Sequence, residues 1–439
     1  MYSELRDFLF ETIPRENGCF LLANHYSTKR GKNVTMIVGL IKPEPNSWNY
    51  TTEHSLGPSS SFINHAVVMA DDSNLSLVFV HTHPSSFHPP MFSSIDEESN
   101  KRLFANLSRI IPGRPFGSIV LSTEGAYGIV FYGQKSESIS TFEISGNVIS
   151  ELQNVINEPD PVETSTLFDR QVRMIGKTCH KKLQKMTVSV IGVGGTGSSV
   201  AVQLARMGIK KLRLIDRDII DETNIPRVYG SKLSDMGKPK VNVLKKHILS
   251  FSKTKVEALH TDITETDALP YLIDSDVIFS CTDNLTSRSI LNDVSIQYYI
   301  PLIDVGVRIH FNKDDSLEQA VTKVQLVTPD TACLWCTGTL DGKLILQESF
   351  SEDEKMKLAE EGYYEAIEKQ PSVISMTTMV ASMAVNRFLS LIGALGENHD
   401  ARTQIELKSE FMLSDTPEIK ADCTCHERRG IGNNRRIVN

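Results

Sequence analysis

Residues 188–218 read VSVIGVGGTGSSVAVQLARMGIKKLRLIDRD. A β-branched run leads into a cluster of glycines, then a run with apolar helical spacing, then a second β-like run ending in Asp216. Strand, glycine turn, helix and strand in that order make the first unit of a parallel sheet. Downstream the alternation continues through GKPKVNVLKKHILS, KVEALHTDI, DVIFSCTDN and IPLIDVGVR. The expected fold from residue 167 to 439 is therefore a doubly wound, mostly parallel α/β sheet. Upstream the pattern differs. The runs CFLLANHYS, VTMIVGLIK, LSLVFVHTH, GSIVLST, AYGIVFYG and STFEIS read as short strands between turns, with helices over SELRDFLFETI and SSIDEESNKRLFANLSRII. Residues 1–150 are expected to form a separate α+β domain. The acidic, proline-containing stretch NVINEPDPVETST marks a linker over 151–166.

Composition bounds the rest. A chain of 439 residues fits two domains better than one. The formal charge of −8 argues against nucleic acid as a partner, because phosphate binding needs a basic face. The most apolar run, TTMVASMAVNRFLSLIGAL, is interrupted by Asn386 and Arg387, so no membrane span is expected. The N-terminus lacks a basic segment followed by an apolar core, which points to a cytoplasmic protein. Seven cysteines, an odd count, do not suggest a disulfide framework there.

Glycines after a strand let backbone N–H groups approach a phosphate at a helix N-terminus, where the dipole favours an anion. That fingerprint alone suggests a dinucleotide, and Asp216 is placed to hold a ribose hydroxyl for any nucleotide. The residues that follow favour another chemistry. IIDETNIPRVYG and DMGKPKVNVLKKH bring Asn224, Arg227 and Lys240 near the glycines, and FSCTDNLTSR brings Asp283 to a strand end. Attack at an α-phosphate needs cations to neutralise the triphosphate and a carboxylate for Mg2+.

From LFDRQVRMIG to the CTC near the end, these residues resemble the ThiF/MoeB/E1 superfamily. Its members activate the C-terminal glycine of ubiquitin-like proteins as an acyl-adenylate. The resemblance implies that Gly192, Gly194, Gly195 and Gly197 form the ATP loop and that Asp216 binds ribose. It further implies that Asn224, Arg227 and Lys240 contact phosphates and that Asp283 holds Mg2+. Arg170 resembles the arginine these enzymes lend to a partner's ATP site, which implies a homodimer through the adenylation domain.

The run VFVHTHPSSFHPPMFSSIDEES, residues 79–100, poses a separate question. Alternate strand residues share a face, so His81 and His83 point together. Two imidazoles and a carboxylate, supplied by Asp96, are a common three-ligand zinc set that leaves a position for water. Glu16 is the candidate base, with Glu11 second. The pattern of an early Glu, then H-x-H-P, then S-x-x-D resembles the JAMM motif of JAB/MPN metalloproteases, which cut at the C-terminus of ubiquitin or ubiquitin-like proteins. That resemblance implies His81, His83 and Asp96 as zinc ligands, Glu16 as general base and Ser93 as donor to the oxyanion. The loop between Pro84 and Ser93 is longer than the family's usual one, and His88 within it is a rival ligand.

Cys333 and Cys336 form CLWC, and Cys423 and Cys425 form CTC. Four thiolates in two pairs suit a closed structural zinc site, which the same superfamily carries. Its second pair is normally wider, leaving His426 as an alternative to Cys425. No cysteine lies between Cys336 and Cys423, where thioester-forming members often keep their nucleophile. Three routes stay open: direct transfer of the adenylate, an oxyester on Ser372, or a thioester on Cys179 or Cys281.

A bond-making and a bond-breaking enzyme in one chain resemble bacterial ubiquitin-like conjugation systems, several of which serve antiphage defence. The expected partners are a ubiquitin-like protein ending in glycine and an E2-like protein, with Zn2+ at two sites, ATP and Mg2+ as cofactors. Processing and activation of a sulfur-carrier protein is the rival reading, and a scaffold with dead sites a further one.

Overall fold

The computed structural model describes residues 1–29, 31–84, 90–133, 135–152, 154, 166–265, 268–312, 314, 316–360, 371–396 and 400–432. Much of the expected linker, and His88, lie outside them.

The first sheet has six strands, in the order Asn33–Ile41, Gly18–Ser27, Ser76–Thr82, Phe116–Leu121, Ala126–Tyr132 and Lys135–Ser138. Neighbours are antiparallel except Ser76–Thr82 beside Phe116–Leu121. Its central strands are apolar on both faces, and both faces are covered. Phe20, Leu22, Leu77 and Phe79 pack with Phe62 and Ala66 of the helix Ser60–Asp72 and with Phe104 and Leu107 of the helix Ser94–Ile110. The alternate residues Cys19, Leu21, Ala23, Val78 and Val80 pack with Leu5 and Leu9 of the helix Tyr2–Phe10. Burial on both faces is why these strands read as continuous apolar runs.

The helix Ser60–Asp72 was not expected from the sequence. Ser59 caps it by accepting from the Phe62 amide, and Phe62, Ala66 and Ala70 form its buried stripe. The small side chains of that stripe give a weak helical signal.

The second sheet has eight strands, in the order Lys255–Leu259, Lys211–Ile215, Thr187–Ile191, Val277–Ser280, Leu302–Phe311, Leu317–Val327, Arg402–Glu406 and Phe411–Asp415. The first five run parallel and the last three continue antiparallel. The doubly wound expectation holds over the parallel part, and the antiparallel extension modifies it. The helices Gly195–Arg206 and Ile374–Leu391 share one core with the sheet, while Leu285–Tyr298 contributes to a second.

The two sheets belong to units that touch extensively. Ile149 is buried in the core of the second unit, and its amide donates to Leu391 O at 2.7 Å. Tyr26 meets Tyr298 edge-on at 5.0 Å, and Asn24 Nδ2 donates to Gly430 O at 3.1 Å. Among the described residues no helix is long and apolar enough to cross a membrane.

Candidate functional site

Two clusters assemble in the folded chain. In the first unit, His81 is the next-to-last residue of the strand Ser76–Thr82 and His83 directly follows the strand, and their ring centroids lie 5.1 Å apart. Asp96 comes from the first turn of the helix Ser94–Ile110, whose N-cap is Ser93. His81 Nε2 stands 3.4 Å from Asp96 Oδ1, and His83 Nε2 stands 3.4 Å from Oδ2. Ligands on a tetrahedral zinc stand about 3.3–3.4 Å apart for bond lengths of about 2.0–2.1 Å. His81 is 2% exposed, and neither of its ring nitrogens has a hydrogen-bond partner among the described residues. A buried imidazole whose Nδ1 has no partner and whose Nε2 meets only the Asp96 carboxylate at 3.4 Å is costly unless something binds it. Burial lowers its pKa, against the opposing pull of Asp96, which keeps the neutral form a metal requires. These features fit a bound zinc ion.

Glu16, 4% exposed, reaches His83 Nε2 at 3.6 Å through Oε1, while its Oε2 has no partner. Burial pushes its pKa up to about 7, with His83 opposing and Asp96 adding to the rise. Glu11, the second candidate, is exposed at the C-cap of the helix Tyr2–Phe10 and belongs to no such cluster. Ser93 behaves differently from the expectation. Its hydroxyl donates to Asp96 Oδ2 at 2.7 Å and its amide donates to the same oxygen at 2.8 Å. Burial raises the Asp96 pKa, but His81, His83 and Ser93 outweigh it and hold the carboxyl well below the usual range. Ser93 thus caps the helix and fixes the Asp96 carboxylate, and an oxyanion role would need its proton to turn away.

In the second unit, the glycine loop joins Thr187–Ile191 to Gly195–Arg206. Gly192 has φ of 79°, and a Cβ on Gly197 would lie 1.8 Å from Gly192 O. Only glycine allows so close a turn. Both oxygens of Asp216 hold the backbone here: Oδ2 accepts from the Val193 amide at 2.7 Å and Oδ1 from the Asp218 amide at 2.8 Å. Burial raises the Asp216 pKa, with those amides and Lys240 opposing. Its first visible task is shaping the loop.

The expected phosphate contacts occupy different states. Lys240 opens the helix Lys240–Leu249 and its Nζ pairs with Asp218 Oδ2 at 2.8 Å, a partner that the sequence did not suggest. Arg227 is half-buried and makes no ion pair among the described residues. Asn224 is buried in its own turn, donating to Asp221 Oδ1 at 2.8 Å. Asp283 follows the strand Val277–Ser280, is exposed and has no ion pair among the described residues, so its charge is free for a cation. Arg170 lies exposed on the helix Asp169–Leu183.

The thiols divide cleanly. Cys333 stands 3.6 Å from both Cys336 and Cys423, and Cys336 stands 3.8 Å from Cys425, sulfur to sulfur. Thiolates about 2.3 Å from a tetrahedral zinc stand about 3.8 Å apart. His426 is turned away, its Nε2 2.9 Å from Lys420 O, so Cys425 and not His426 completes the set. Cys179 is buried against Ile392 O, and burial raises its pKa. Cys281 packs against Gly192 and Gly197, and burial followed by Asp304 raises its thiol far above the usual range. Neither environment favours a thiolate nucleophile. Ser372 is half-buried before the helix Ile374–Leu391.

The model of the ThiF family matches residues 168–427, more than half of the chain. The chain is 34% identical over 140 residues to the tRNA threonylcarbamoyladenosine dehydratase of Bacillus subtilis (strain 168), covering 31% of this chain and 54% of that protein. It is 32% identical over 139 residues to the adenylyltransferase and sulfurtransferase MOCS3 of Anopheles gambiae, covering 31% and 32% respectively. The chain thus spans between about a third and a half of the length of these relatives. Escherichia coli MccB, solved with ATP, aligns with 70% of this chain and 99% of its own at 19% identity, with a TM-score of 0.46.

Proposed function

The chain belongs to the ThiF family, and from that premise we propose that residues 167–439 adenylate the C-terminal glycine of a ubiquitin-like protein, while residues 1–150 act as a JAB/MPN-type zinc peptidase on the same terminus. The observation that carries the first half is the glycine turn, closed to any side chain at Gly197, with the cation Lys240 at a helix start paired to Asp218 and the exposed carboxylate of Asp283 just after the strand Val277–Ser280. The glycine carboxylate attacks the α-phosphate of ATP, a new O–P bond forms, and pyrophosphate leaves. Arg227 and Lys240 neutralise the charge that gathers on the phosphates, Lys240 exchanging its Asp218 partner for the nucleotide. Asn224 and Asp216 contact the nucleotide, and Asp283 would hold Mg2+, which would supply positive charge to the phosphates. Arg170 would enter the ATP site of a second copy.

In the first unit, His81, His83 and Asp96 would hold a zinc ion whose chemistry is Lewis-acid activation of water and carbonyl. Glu16 would carry a proton from the attacking water to the leaving amine. The outcome is removal of a precursor tail or of a conjugated target.

The cysteine environments favour direct transfer of the adenylate or an oxyester on Ser372 over a thioester. The full chain carrying Asp96→Asn, incubated with ATP, magnesium and a small protein ending in glycine, tests this by intact mass. A released adenylate without adduct supports direct transfer to an E2-like or sulfur-accepting protein. A thiol-resistant adduct lost in Ser372→Ala supports the oxyester. A thiol-labile adduct overturns the preference, and no adenylate at all overturns the adenylation assignment.

A further inference from the structure

Glu348 ends the helix Gly342–Glu348, more than sixty residues from Asp283, yet its carboxylate lies on the first turn of the helix Leu285–Tyr298. Oε1 accepts from the Leu285 amide at 2.8 Å, and Oε2 accepts from the Thr286 amide at 2.8 Å and its hydroxyl at 2.7 Å. Asn284, the N-cap, accepts from the Ser287 amide at 2.7 Å. The first-turn amides of a helix have no partner within it, and the dipole favours an anion there. Here two of them are taken by a side chain from another element.

Asp283 directly precedes this capped turn. On its other side, Arg288 donates to Thr282 O at 3.0 Å and to Val305 O at 3.1 Å, and pairs with Asp304 at 3.3 Å. The backbone is therefore gripped before Asp283 by Arg288 and after it by Glu348, while the Asp283 side chain itself is exposed.

We infer that Glu348 is a positioning residue that aims Asp283 at the magnesium of bound ATP. This rests on the adenylation reading. Mg2+ demands near-ideal octahedral geometry and is held by one or two carboxylates together with phosphate oxygens. A carboxylate on a loose loop loses backbone freedom each time it binds, and a clamped one has lost that freedom already. Glu348 never touches the nucleotide; it works through the Leu285 and Thr286 amides.

A cap that only stabilises the helix makes a different prediction, so the test separates magnesium-dependent from magnesium-independent binding. The full chain is titrated calorimetrically with ATP, with and without magnesium, and amide exchange is followed at 285–286. Glu348→Gln weakens ATP affinity roughly fivefold with magnesium, the size of losing one charged cap. It leaves metal-free affinity unchanged and speeds exchange at Leu285 and Thr286. Glu348→Asp, which keeps the charge, recovers part of the loss. An equal loss with and without magnesium, or no loss, overturns the inference. A wild-type chain whose ATP affinity ignores magnesium overturns the adenylation reading, and this inference with it. If Glu348→Gln fails to fold, Thr286→Val removes the hydroxyl bond alone and carries the same comparison.

Discussion

Glu16 and Asp96 are carboxylates on one cluster with opposite electrostatic fates. Asp96 faces two imidazoles and a hydroxyl and stays ionised, whereas Glu16 is held by burial near neutrality. On the proposed peptidase reading the pair divides into a metal ligand and a proton carrier, and substitution separates those roles. Asp96→Asn removes the zinc of the first unit, seen as one fewer equivalent by elemental analysis. Glu16→Gln keeps that zinc but slows cleavage of the ubiquitin-like substrate by roughly 10²–10⁴-fold, the worth of general acid–base catalysis. Zinc lost on Glu16→Gln would make Glu16 a ligand instead. In the second unit, Lys240→Ala slows adenylate formation by roughly 10²–10³-fold, as removal of one preorganised charge does at such sites. It also leaves Asp218 unpaired beside the phosphates, so Lys240→Ala with Asp218→Asn recovers part of the rate. A double variant no better than Lys240→Ala would limit Asp218 to a surface partner.

Among the elements, the short helix Cys425–Arg428 rests on its cluster and its contacts rather than on propensity. Four residues make no stable helix alone. Cys425 fixes its start, and Arg428 pairs with Asp293 of the helix Leu285–Tyr298. Just beyond, Gly430 N donates to Ile296 O at 3.1 Å and Gly432 N to Gln297 O at 3.0 Å, while Asn24 of the first unit holds Gly430 O. The cysteine set therefore anchors a segment wedged between the two units. Cys336→Ser should cost one zinc equivalent and lower the melting temperature by roughly 10 °C, because structural zinc binding is folding free energy. It should also speed amide exchange at Gly430 and Gly432. An unchanged melting profile with full zinc content would show that the thiols pack without metal.

Across the whole molecule, the first cluster and the contacts between the units sit toward opposite ends of one strand. Glu16 lies beside one end of the strand Gly18–Ser27, and the contacts to the second unit begin near its other end, at Asn24 and Tyr26. Six strand residues, Gly18 to Ala23, lie between Glu16 and Asn24, and the strand from Gly18 to Asn24 spans about 20 Å. From there the helix Leu285–Tyr298 leads about 21 Å back from Tyr298 to Asp283. If the two proposed sites act independently, a matured protein leaves before it is adenylated. With labelled precursor and excess unlabelled mature protein, the adenylate should carry the label in proportion to the mixed pool. An adenylate richer in label than the pool would mean direct passage and a different arrangement of the units.

Local pattern determined much of this protein. The strand–glycine–helix unit at 188–218, the cysteine pairs CLWC and CTC and the His81, His83 and Asp96 triplet were legible because each depends on a spacing of a few residues that local geometry turns into a shared face. Tertiary structure decided what joins distant residues. The Lys240 partner Asp218, the Glu348 clamp on Leu285 and Thr286, the choice of Cys425 over His426 and the engagement of Ser93 by Asp96 depend on how elements pack or on which way a side chain turns. The helix Ser60–Asp72 and the antiparallel strands after Phe311 fall on the same side, since their burial is set by neighbours rather than by their own periodicity. Hydrogen bonds and burial reward proximity in space, and a sequence records proximity only within a turn or a strand.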